Sequence, residues 1–90
     1  MSDLDSLILT TEFLRSLLDR RFTVADHSAI LRALVLLDTN QRHPSLRVHK
    51  LQGDLAGTWS ASASDSLRLL FERAPDGKKR MKECTKHYDR

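Results

Sequence analysis

The sequence predicts an α+β domain in the order β-α-α-β-β-β: an N-terminal helical hairpin packed on an antiparallel sheet. Three observations carry this. Apolar residues between Phe13 and Leu37 recur at helical spacing. After Pro44 the period falls to two, the spacing of strands. Helical segments come first and strand segments after, which favours two layers with the helices gathered on one face of the sheet. Ninety residues suffice for one domain, residues 1–90, and one core.

Each element has a local reason. Leu7-Ile8-Leu9 is a short apolar run that reads as an edge or opening strand. Thr10 suits a helix N-cap with Glu12 in the first turn, and Phe13, Leu14, Leu17 and Leu18 follow on one face. This predicts a helix of two or three turns ending near Arg21-Phe22. Thr23-Val24-Ala25-Asp26 has the layout of a capping box. It opens a longer helix to about Thr39, with Val24, Ile30, Leu31, Leu34, Val35, Leu36 and Leu37 as a wide apolar face. A face that wide predicts a helix pressed between its partner helix and the sheet. Asn40 suits the helix end, and Pro44 cannot continue a helix.

The strands follow. Val48, Lys50 and Gln52 alternate with His49 and Leu51. Gly53 to Gly57 form a loop. Trp59, Ala61 and Ala63 then alternate with Ser60, Ser62 and Ser64. Ser64-Asp65-Ser66 turns the chain, after which Leu67, Leu69 and Phe71 face one way and Arg68, Leu70 and Glu72 the other. Pro75-Asp76-Gly77 is a turn signal. Lys78 to Lys86 is the last strand, with only Met81 and Cys84 apolar.

Composition narrows the function classes. The net charge of +3 is uneven: residues 1–45 carry −1 and residues 46–90 carry +4. A basic second half fits an anionic partner, nucleic acid or an acidic protein, as well as an ordinary solvated surface. A lone cysteine, Cys84, excludes an internal disulfide and a thiolate metal site, which fits a reducing compartment. The four histidines lack paired metal-ligand spacing, so neither metal nor cofactor is expected. No phosphate-binding glycine loop, H-E-x-x-H, C-x-x-C or G-x-S-x-G motif is present. No apolar run reaches the roughly 20 residues of a membrane span, and Met1–Ser6 lacks a signal-peptide layout. The expected location is the cytoplasm, with no membrane partner.

What remains is a polar set that adjacent strands can gather on one open face: His49 and Lys50, Arg68, and His87 with Tyr88. Such a set suits metal-independent cleavage of RNA. A base removes the ribose 2′-OH proton, a cation stabilises the crowded phosphate, and an acid protonates the leaving 5′-oxygen. Histidine serves as base or acid near neutral pH, and arginine offers a forked permanent cation. Tyrosine stacks on a base or donates a proton. Each also has a plainer reading: His49 as a partly buried polar residue, Arg68 as a partner of Glu72, His87 and Tyr88 as surface residues near a terminus. Arg47, Lys50, Arg73 and Lys86 complete the candidate set as RNA- or phosphate-binding cations.

The stretches His43-Pro44-Ser45-Leu46, Lys50-Leu51-Gln52-Gly53, Leu55-Ala56-Gly57-Thr58-Trp59-Ser60 and Leu67-Arg68-Leu69-Leu70-Phe71 together resemble the RelE/ParE toxin superfamily. Cys84-Thr85-Lys86-His87-Tyr88 resembles the ending of its YoeB-type members. The resemblance implies a toxin of a prokaryotic type II toxin–antitoxin system, an mRNA endoribonuclease that stops translation on the ribosome. It implies a cyclic phosphate product, a cognate antitoxin that wraps the toxin, and the possibility of a higher toxin–antitoxin assembly. Arg68 falls at the family's phosphate-binding arginine, and His87 and Tyr88 at its active-site pair. His49 matches a position that is His in YafQ-type and Glu in YoeB-type members. Where some members carry an acid or His near a strand end, this chain has Ser62 or Ser64, and its last strand is unusually polar. Two other functions share the fold: inhibition of DNA gyrase, as in ParE-type members, and antitoxin binding without catalysis.

Overall fold

The computed structural model describes residues 4–86. Its elements are β1 (Leu7–Leu9), α1 (Thr11–Ser16), α2 (Val24–Thr39), β2 (His49–Lys50), β3 (Trp59–Ser62), β4 (Arg68–Arg73) and β5 (Lys79–Thr85). Short 3₁₀ helices lie at Pro44–Leu46 and Gly53–Leu55. The expected α+β class holds, with one strand more than the β-α-α-β-β-β order allows. All five segments read as strand-like are strands, and the first of the meander is the two-residue β2, which pairs with β3 through His49↔Ser60 and Lys50↔Trp59.

The strands lie in the order β1-β5-β4-β3-β2. β2 to β5 form the expected antiparallel meander. The sheet as a whole is mixed, because β1 runs parallel to β5 along Leu7↔Lys79 to Leu9↔Met81. Hairpins force antiparallel neighbours, but β1 reaches β5 through both helices and the whole meander, so no tight turn dictates its direction.

Both helices begin where their caps predict. Thr10 Oγ1 accepts the Phe13 amide at 3.0 Å and donates to the Met81 carbonyl at 2.7 Å, so the cap of α1 also fastens it to β5. Ser16 Oγ adds a second clamp by accepting the Cys84 amide at 2.9 Å. α1 stops after six residues, short of the expected two or three turns. Its end tightens into i→i+3 bonds, Leu17 N to Leu14 O and Leu18 N to Arg15 O, and Asp19 then holds Arg21 in a turn. α2 has the full capping box: Thr23 Oγ1 accepts the Asp26 amide at 3.0 Å, and Asp26 accepts the Thr23 amide at 2.9 Å.

One apolar stripe of α2, Ala29, Ile30, Ala33, Leu34 and Leu37, faces the sheet. Phe13, Leu46, Ala61, Leu67, Leu69, Phe71 and Met81 complete the core from the other elements. Each fully buried Leu, Ile, Phe or Met of this core contributes about 1.5–3 kcal/mol. The expectation of a helix covered on both sides does not hold. Val24, Leu31 and Val35 are 83, 64 and 52 % exposed. Spaced by seven and four residues, they form a second stripe that faces solvent.

The polarity of β5 has a structural explanation. Lys79 is only 2 % exposed. Its Nζ donates to Ser6 Oγ at 3.1 Å, and Ser6 Oγ in turn donates to the Asp38 carboxylate at 2.6 Å. This chain ties the entry to β1, the end of α2 and β5 together. Burial pushes the Lys79 ammonium pKa down, and the bonds from Ser6 lower that of Asp38. Arg80 and Glu83 point to solvent, and a register shift at Leu70/Phe71 leaves Lys82 as the extra residue of a β-bulge.

Candidate active site

The ladder divides the sheet by face. Trp59↔Phe71, Ala61↔Leu69, Leu69↔Cys84 and Phe71↔Met81 lie on the helix side. His49↔Ser60↔Leu70↔Glu83 forms a row on the open side, and Ser62↔Arg68↔Thr85 forms the next. His49 and Arg68 therefore share the open face, with Ser60 and Ser62 of β3 between them. Two strand spacings and one pleat repeat separate their Cα atoms, about 12 Å.

Lys50 does not join them. Consecutive strand residues point to opposite faces, so the neighbour of His49 lies on the helix side. There its Nζ sits 5.7 Å from the Trp59 ring centroid. Arg73 lies on that side too, its guanidinium 4.2 Å from the same ring, while Trp59 stacks on Phe71 at 6.4 Å. Trp59 is thus a wall of the core margin capped by two cations. Lys86 sits elsewhere again, with Nζ 2.9 Å from Asp26 Oδ2 and 3.1 Å from the Arg21 carbonyl. That ion pair, after the Thr23 amide, helps lower the Asp26 pKa. His87 and Tyr88 lie outside the described residues; β5 ends at Thr85, the register partner of Arg68.

The tautomer of His49 follows from its partner. Its Nδ1 lies 2.8 Å from the Arg47 carbonyl. A carbonyl only accepts, so Nδ1 carries the hydrogen and Nε2 of the neutral ring keeps its lone pair. The backbone makes this contact possible by a left-handed turn: Arg47 has φ +46°, the one positive φ among described non-glycine residues. Arg68 is braced by the β3–β4 turn, its Nη1 donating to the carbonyls of Ser64, Asp65 and Leu67 at 2.7, 3.1 and 3.0 Å. Arg68, Arg47, Ser45, Ser62 and Ser64 border one groove of about 580 Å³ together with one acid, Asp65.

Ser60 carries no signal of its own in the sequence. Its side chain is fully buried beside His49, and among the described residues nothing hydrogen-bonds its Oγ. The alternation of serine with apolar residues marked it only as facing away from the core. Cys84 stays outside any chemistry: burial pushes its thiol up to about 12. Among the described residues no group of three His, Cys, Asp or Glu side chains is placed to hold a metal ion.

This architecture is the fold of the RelE/ParE-type toxins. YafQ from Escherichia coli superposes with a TM-score of 0.70 at 18 % identity, over 89 % of this chain and 90 % of that one. The YoeB/ParE toxin from Agrobacterium tumefaciens gives 0.69 at 20 % identity, over 92 % of this chain and 99 % of that one. The toxin–antitoxin complex RelBE2 from Mycobacterium tuberculosis gives 0.59 at 24 % identity, over 92 and 96 % of the two chains. No family model matches the sequence, and no curated protein matches it by sequence. No helix among the described residues is long and apolar enough to cross a membrane.

Proposed function

We propose that the chain is the toxin of a type II toxin–antitoxin pair and that it cleaves mRNA on the ribosome. The observation that carries this reading is the shared open face of His49 and Arg68, with the His49 ring oriented by the Arg47 carbonyl. The fold it has in common with YafQ, YoeB/ParE and RelBE2 supports the toxin assignment.

In this mechanism His49 Nε2 takes the proton of a ribose 2′-OH. The 2′-oxygen attacks phosphorus, and Arg68 neutralises charge on the non-bridging oxygens. The bond to the 5′-oxygen breaks, and that oxygen takes a proton from an acid. His87 and Tyr88, two and three residues beyond Thr85, supply the acid and the stacking group. The products are a 2′,3′-cyclic phosphate and a free 5′-hydroxyl. A chain of ninety residues has little surface with which to choose an RNA sequence, which supports placement of the message by the ribosome. The exposed stripe of Val24, Leu31 and Val35 supports a protein partner, the antitoxin.

Induction of the chain alone in a bacterium tests the reading. Growth arrest with ribosome-bound messages cut inside codons is expected. His49→Ala lowers cutting about 10²–10⁴-fold and Arg68→Ala about 10²–10³-fold. DNA damage with intact messages would replace this reading with gyrase inhibition.

A further inference from the structure

A second cationic groove lies on the other side of the Pro44–Arg47 rim. It encloses about 620 Å³ between the 3₁₀ helix and β4, and Gln41, Arg42, His43, Arg47, Trp59 and Arg73 border it. Among the described residues no acidic side chain borders it. The ion pairs among the described residues, Arg21–Asp19 and Lys86–Asp26, leave its three arginines without a carboxylate. Arg73 lies against the Trp59 ring at 4.2 Å, which fixes its guanidinium while its N–H edge remains available. His43 is spoken for: its Nδ1 accepts the Ser45 amide at 3.2 Å, so its Nε2 carries the ring hydrogen of the neutral form and adds a donor. Three forked cations and a ring N–H lining one groove, with no described counter-charge, describe an anion site.

Arg47 and Pro44 border this groove and the Arg68 groove alike. The left-handed backbone at Arg47 costs roughly 1–2 kcal/mol in general, and strain of this kind gathers at functional positions. We propose that the Trp59–Arg73 groove is a second phosphate site for the same RNA chain. The strand would cross the rim at Arg47, with Arg42, Arg47 and Arg73 holding the phosphates beside the one cleaved at Arg68. The proposal rests on the reading of the chain as an RNA-cleaving protein. An acidic peptide shares the charge, but such an interface draws its affinity from buried apolar anchors. Here the apolar border is limited to Pro44, Val48 and the Trp59 ring, whose faces Arg73 and Phe71 already cover. Evenly spaced phosphates running between two connected cationic grooves fit better.

The test uses 2′-O-methyl RNA, which binds without being cut, and reads Trp59 fluorescence across a salt series; Trp59 is the sole tryptophan. For a single strand the slope of log K against log salt falls by about 0.7 for each phosphate that the protein no longer neutralises. Arg42→Ala and Arg73→Ala should each flatten the slope by that amount, independent of RNA sequence, and Arg73→Lys should restore it. If Arg68→Ala flattens the slope while Arg42→Ala and Arg73→Ala leave it unchanged, the second site is overturned and the cleavage reading stands. If the wild-type chain binds no free RNA at any salt yet cuts messages on ribosomes, the second site is overturned and the cleavage reading stands; if it neither binds nor cuts, both fail. Binding of polyglutamate to wild type but not to Arg42→Ala, with the RNA salt slope unchanged in that variant, would assign the groove to a protein partner and overturn the proposal.

Discussion

Ser60→Ala should make the protein more stable. The Ser60 side chain is buried on the open face, and no described group bonds its hydroxyl. A buried hydroxyl without a partner costs about 1–3 kcal/mol. Alanine removes that cost and leaves a gap smaller than a methyl group, a loss below about 1 kcal/mol. The net expectation is a gain of about 1 kcal/mol, equivalent to about 4–8 °C in Tm for a domain of this size. Urea and thermal unfolding followed by Trp59 fluorescence measure it, and an unchanged denaturant slope would show that the gain belongs to the folded state. A destabilisation of about 1 kcal/mol or more would refute the reasoning, because it would mean that the hydroxyl is bonded in solution. Since Ser60 is the register partner of His49, the same variant should be assayed for RNA cleavage. Higher stability with lower activity would mark Ser60 as held in an unfavourable state for the chemistry beside it.

Thr23→Ala removes the side-chain half of the α2 capping box and should cost about 1 kcal/mol in urea unfolding. Leu69→Ala, at a fully buried position in β4, should cost about 2–5 kcal/mol, a large share of the stability of a small domain. Lys79 gives a pH signature. Its folded pKa lies below the ordinary lysine value of 10.5, so between the two this group binds more protons in the unfolded chain and its contribution to stability rises with pH, against the fall that the Cys84 thiol, pushed up to about 12, causes above about 9. Lys79→Met should abolish that alkaline rise and leave stability at neutral pH equal or higher, since Ser6 keeps its bond to Asp38. Alkaline profiles of equal slope in the wild type and Lys79→Met would show that the ammonium is not desolvated, whatever the opposing slope from Cys84.

The parts of the fold legible in the sequence are those that local physics determines. Thr10 and Thr23 announce their helices because a cap needs only the next three residues. Leu67, Leu69 and Phe71 announce the buried face of β4, and the same alternation puts Arg68 on the open face. The parts that were not legible depend on distant partners. β1 is parallel because its neighbour is β5, far along the chain at Leu7↔Lys79. Lys79 is buried because Ser6 and Asp38 receive it, and nothing near it in sequence says so. The width of the α2 face misled, because apolar residues turned to solvent carry the same signal as those turned to the core. Lys50 is a different case: the alternation of Val48, Lys50 and Gln52 with His49 and Leu51 already sets it opposite His49, and grouping the two by charge alone overrode that signal. Of the candidate site, His49 and Arg68 were visible by type and phase. The tautomer of His49 was not, since it depends on the left-handed turn at Arg47.

The chemistry of the cut ends tests the central claim most directly. Messages recovered from translating ribosomes exposed to the purified chain should carry a 2′,3′-cyclic phosphate on the upstream fragment and a 5′-hydroxyl on the downstream one. Both should disappear with His49→Ala and Arg68→Ala, provided these variants unfold at the wild-type urea concentration. Fragments ending in a 3′-hydroxyl and a 5′-phosphate, or cutting undiminished in both variants, would contradict cleavage by 2′-OH attack on the open face of the sheet.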